Sequence, residues 1–71
     1  MTFKSGDKVW ARTKMGYWRP AEVLHRDRVW HRSWLVLYIT NNHSVYRQAH
    51  TIYPRDPALH GADRPDAKEK L

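Results

Sequence analysis

GDKVWARTKMGYWRPAEV, residues 6–23, reads as a turn, a strand, a short loop and a second strand. Gly6-Asp7 is a turn signal. From Lys8 to Thr13 the side chains alternate: Val9, Ala11 and Thr13 point one way, Lys8, Trp10 and Arg12 the other. A period of two marks a half-buried strand. Lys14-Met15-Gly16 supplies the reversal, because glycine is free to take a positive φ. The chain extends again from Tyr17. Pro20 has no N–H to give a ladder and belongs at a strand edge or bulge.

Further along, Trp34 to Ile39 (WLVLYI) is the most apolar run and the candidate central strand. Leu35, Leu37 and Ile39 line one face of it, Trp34, Val36 and Tyr38 the other. Between the hairpin and this run, residues 24–32 are polar and basic with no clean period, which predicts a strand end and a long loop. Thr40-Asn41-Asn42-His43 is a turn, since asparagine tolerates the left-handed region. Ser44 to Arg47 forms a fourth strand, Gln48 to Thr51 one 3₁₀ turn, and Ile52-Tyr53 a last strand stopped by Pro54. Such short strands and brief turns predict an all-β fold, a small five-stranded antiparallel barrel over residues 1–54. Its expected core is Val9, Ala11, Ala21, Val23, Leu35, Leu37, Val45 and Ile52. Residues 55–71 read as a flexible polar tail or linker, weakly helical from Pro65.

The 71 residues carry thirteen Lys/Arg against seven Asp/Glu, a formal charge of +6. The surplus is local: residues 1–54 hold nine basic and three acidic side chains, residues 55–71 four of each. A basic module of this size points to a polyanion, nucleic acid first. No cysteine is present, so neither disulfide nor thiolate site supports the fold. No apolar run is long enough to span a bilayer, and MTFKSGD lacks the apolar stretch of a secretory signal. No membrane partner is expected.

The residues of the hairpin also carry a resemblance. FKSGDKVWARTK at 3–14 and YWRPAEV at 17–23 resemble the opening of a PWWP domain, and SVYRQAHTIYP at 44–54 resembles its fourth strand, 3₁₀ turn and closing aromatic-proline. Tudor domains of the same superfamily share the layout. The resemblance implies an SH3-like barrel that works in the nucleus, in chromatin. Such a module binds DNA through a basic face and reads a methylated lysine or arginine on a histone tail in a cage of aromatic rings. A methylated ammonium keeps its charge, loses strong hydration and sits well against π faces. Of the family's cage positions Tyr38 matches; Arg19, Thr13 and a position near Asn41 stand where the family has aromatics. GDKVWAR, WRPAEVL and VYRQAH are also similar to the C-terminal SH3-like domain of integrases, which implies DNA binding without strong sequence preference. RNA binding and peptide binding by a barrel of this kind stay open beside these.

Candidate nucleic-acid contacts are Lys8, Arg12, Lys14 and Arg19 on the hairpin and Arg26, Arg28 and Arg32 on the following loop. Candidate stacking or methyl-ligand aromatics are Tyr17, Trp18, Trp30 and Tyr38; Trp18 and Trp30 stand among basic residues. Trp10 and Trp34 are expected to be structural. The histidines have no cysteine partners and no helical spacing, so no metal and no cofactor is expected. His25, His31 and His43 are candidates for anion contacts. Ser5, Ser33 and Ser44 lack a nucleophile context, and Asp7, Glu22 and Asp27 form no evident acid pair, which argues against an enzyme. A domain of this kind is expected to be part of a larger protein or complex.

Overall fold

Two reversals set the opening hairpin. Gly6 and Gly16 both take the left-handed region, with φ of 90° and 89°, where a side chain is strained. Between them Thr13 closes the second turn: its amide donates to the Tyr17 carbonyl (2.8 Å), and its hydroxyl accepts the Tyr17 amide (3.1 Å). The flanking segments are strand β1, Lys8–Arg12, and strand β2, Trp18–Arg26. β3 (Ser33–Tyr38), β4 (His43–Gln48) and β5 (Ile52–Pro54) follow, with 3₁₀ turns at Ala49–Thr51 and Pro57–Leu59. The computed structural model describes residues 2–66. One antiparallel sheet in the order β4-β3-β2-β1-β5 forms the barrel-like domain, so the expected fold class is the observed one. A second 3₁₀ turn adds to the one expected.

Pro20 lies inside β2, an interior strand, rather than at an edge. In an antiparallel ladder one residue's N–H and C=O face the same neighbour. The Ile39 amide donates to the Pro20 carbonyl (3.1 Å), so the missing N–H faces the side of β3, which has ended at Tyr38. The reciprocal bond from residue 20 to Ile39 cannot form, and the ladder with β3 stops at Tyr38.

The core joins Phe3, Val9, Ala11, Ala21, Val23, Trp34, Val36, Tyr38 and Ile52. Burying each valine contributes about 1.5–3 kcal/mol. On β3 this reverses the expected face: Trp34, Val36 and Tyr38 are buried, whereas Leu35 and Leu37 are half-buried. The run is apolar on both faces, so alternation alone leaves the choice open. Register makes it, because residues directly opposite share a face. Val36 stands opposite Val23, and Tyr38 opposite Ala21. Val45 packs on the core only half-buried, and Phe3 closes it with its ring edge-on to Trp34 at 5.4 Å.

β1 is covered on both faces. Trp10, on the side away from Val9, is buried under residues 55–66. The Trp10 indole N–H donates to Asp63 Oδ1 (3.1 Å), and the Asp56 amide donates to Asp63 Oδ2 (2.7 Å). The Arg55 guanidinium lies 5.8 Å from the Trp10 ring and donates to the carbonyls of Val9 (3.0 Å) and Ala21 (3.2 Å). The stretch read as the start of a tail thus folds back on the sheet as far as Asp66; residues 67–71, with most of the expected weak helix, lie outside the described residues.

The Asp63 carboxyl is held below its ordinary value of 3.8, chiefly by the Asp56 amide; desolvation opposes this, and the Trp10 indole and Arg55 add lesser lowering effects. A carboxylate lowered on folding stabilises above its unfolded value, and that contribution is lost as pH falls through the folded one. Acidification below the ordinary carboxylate range is therefore expected to release the Trp10 contact. The Trp10 indole N–H resonance should move with acid in the native chain and stay put in Asp63→Asn; an acid shift that persists in the variant would place its cause elsewhere.

Candidate nucleic-acid interface

The expected basic residues separate to the two ends of β2. Arg12, Lys14 and Arg19 flank the β1–β2 turn, and Arg26, Arg28 and Arg32 flank the β2–β3 loop, while Lys8 opens β1 opposite Glu22. Arg19 and Arg26 both lie on β2, seven residues apart, about 23 Å at 3.3 Å per residue. All seven cations are exposed. Among the described residues the one ion pair is Arg64–Asp66, so none of the seven is held by a carboxylate.

At the turn end a cavity of ≈ 360 Å³ lies between the β1–β2 and β3–β4 turns. Lys14, Arg19, His43 and Arg47 line it, with Thr13, Asn41 and Tyr38. Tyr38 is 4% exposed. Its hydroxyl donates to the Arg12 carbonyl (2.8 Å) and accepts from Arg47 Nε (3.1 Å). It is a core residue with a satisfied polar tip, not an open ring wall. Thr13, Arg19, Tyr38 and Asn41 line one cavity, and the charged side chains among its lining are cationic. Tyr17 stands outside it, exposed, with the Arg19 guanidinium 5.4 Å from its ring.

At the loop end a bulge between Val23 and His25 shifts the register of β2 on β3. Arg26 is thereby set opposite Trp34, with its guanidinium 5.6 Å from that ring. Its Nε donates to the His31 carbonyl (2.8 Å). The loop is pinned at its base: Asp27 donates to the Ser33 carbonyl, and its side chain accepts the Val29 amide, both at 2.9 Å. The Ala49 amide bonds the Arg32 carbonyl (2.7 Å), tying the loop to the first 3₁₀ turn. A groove of ≈ 600 Å³ follows between them, lined by Trp30, His31, Arg32 and His50 among others. Trp30 is 70% exposed, and its carbonyl accepts the Ser33 amide (2.9 Å).

Trp18 is separate from both. Its ring meets Tyr53 edge-on at 5.3 Å, beside Arg12, Pro54 and Pro65, in a hollow of ≈ 550 Å³. The four candidate aromatics thus occupy different places and enclose no common ligand. Arg47 was missing from the expected contacts. Its signal was present in the sequence: at period two it shares a face with Val45, already assigned inward, near the end of a strand. The bulge that turns Arg26 had no such signal. His25 goes to the outer face, against the Tyr46 ring at 6.1 Å. No group of three His, Cys, Asp or Glu side chains placed to hold a metal ion occurs among the described residues, and no helix there is long and apolar enough to cross a membrane.

No protein-family model matches the chain, and no curated protein matches its sequence.

Proposed function

We propose that this domain binds nucleic acid, DNA first, through its backbone and with little sequence preference. What carries the reading is that Lys14, Arg19 and the half-buried Arg47 line one cavity while the exposed Arg26, Arg28 and Arg32 flank the loop that carries Trp30, and among the described residues none of the six forms an ion pair with a carboxylate. Phosphate contacts from Lys and Arg supply affinity and orientation without specifying a base. Trp30 adds a ring face on which an unpaired base stacks. A chromatin setting in the nucleus follows from the resemblance to PWWP and Tudor domains. Of the two activities that resemblance implies, the residues support DNA contact. A methylated ammonium at the expected cage would meet Lys14, Arg19 and Arg47 instead of rings.

The test is fluorescence anisotropy with labelled duplex and single-stranded oligonucleotides. Dissociation constants of about 10⁻⁶–10⁻⁴ M are expected at moderate salt. Trp30→Ala should weaken single-strand binding by about 1–3 kcal/mol through lost stacking, with the circular dichroism spectrum unchanged. Absence of binding to either oligonucleotide at low salt would refute the proposal.

A second reading has one observation of its own. The hollow beside Trp18, Tyr53, Pro54 and Pro65 offers rings and prolines to an extended peptide. Chemical-shift changes confined to the Trp18 indole on adding a proline-rich peptide, with indifference to oligonucleotides, would select it.

A further inference from the structure

The cavity at the turn end is rich in hydrogen-bond donors. Lys14, Arg19 and Arg47 bring fixed positive charge, and His43 lines the same cavity. Thr13 and Asn41 each already accept one local amide. Thr13 Oγ1 accepts the Tyr17 amide (3.1 Å), which leaves its proton to give outward. Asn41 Oδ1 accepts the His43 amide (3.1 Å), which leaves its NH₂ group. Arg47 uses Nε on the Tyr38 hydroxyl, and its two terminal nitrogens have no partner among the described residues. Among the described residues no carboxylate lines the cavity. A site made of donors and cations accepts an anion.

We propose that this cavity seats the terminal phosphate of a nucleic-acid strand. A phosphomonoester presents three acceptor oxygens and about −1.5 to −2 charges. An internal diester presents two unesterified oxygens and one charge, with a sugar on either side. Three fixed cations and two neutral donors, set on two turns, β2 and β4, match the first in charge and in donor number. A strand rather than a phosphorylated protein is favoured by the second basic group at the loop end and its exposed Trp30, which a nucleic acid can also occupy. The inference rests on the nucleic-acid reading above and adds to it a preference for strand ends.

The experiment compares short duplexes of one sequence that carry a 5′-phosphate, a 3′-phosphate or hydroxyls only, by competition anisotropy. At least one phosphorylated end should compete about ten- to hundredfold better than the hydroxyl form. The double variant Lys14→Gln, Arg19→Gln should lose that preference while keeping the native fold, since both side chains are exposed. Equal competition by all three duplexes overturns the terminal-phosphate assignment and leaves general nucleic-acid binding standing. Failure of all three to bind removes both. A phosphoserine peptide that displaces the phosphorylated duplex at lower concentration than the duplex itself overturns the choice of a strand end as occupant.

Discussion

Trp34→Ala is expected to lower stability by about 3–5 kcal/mol, the range for removing a buried aromatic from a core. For a chain of 71 residues the whole of the stability is about 4–10 kcal/mol at the usual value per residue. The variant should thus be largely unfolded at room temperature or melt far below the native chain. Trp34 is 3% exposed, stands opposite Arg26 on β2 and Arg47 on β4, and meets Phe3 edge-on. Its loss empties the middle of the sheet and frees the N-terminal segment at once. Guanidinium denaturation followed by circular dichroism measures the effect. Trp30→Ala supplies the control, because an exposed side chain away from such packing changes stability by about 0.5 kcal/mol or less. Equal costs for the two variants would contradict the inward face assigned to β3.

That face shows where the sequence stopped being legible. Strand positions and types follow from local signals: glycine turns, the alternation of β1, the asparagine turn whose Asn42 takes φ 56°, and the 3₁₀ turn before Ile52. These depend on neighbours in the chain. The inward face of β3 depends on its register with β2, and WLVLYI is apolar on both sides, so period two holds either way. The burial of Trp10 depends on Asp63, 53 residues away, and residues 55–66 look like a tail by composition alone. The candidate site divides in the same manner. Exposure of the hairpin and loop cations was legible from charge and alternation. Their separation to opposite ends of β2 was not, because it follows from strand length and from a bulge inside a stretch with no period.

The separation gives the second large effect. If a duplex lies across both ends, Lys14, Arg19 and Arg47 at one and Arg26, Arg28 and Arg32 at the other each neutralise a phosphate. Six such contacts predict a slope of log K against log salt of about −5, and a loss of about 10³ in affinity between 50 and 200 mM salt. Engagement of a single end predicts a slope of about −3 instead. Paired variants separate the two cases. Lys14→Gln with Arg19→Gln, and Arg28→Gln with Arg32→Gln, should each reduce the slope by about 2 when both ends bind. If one end binds, one pair changes the slope and the other leaves it alone. Arg26 is the contact most apt to fall short, since its guanidinium already lies over Trp34 and its Nε is engaged with His31. A native slope no steeper than about −1 would mean that these cations are solvated surface charge, with no phosphate track between them.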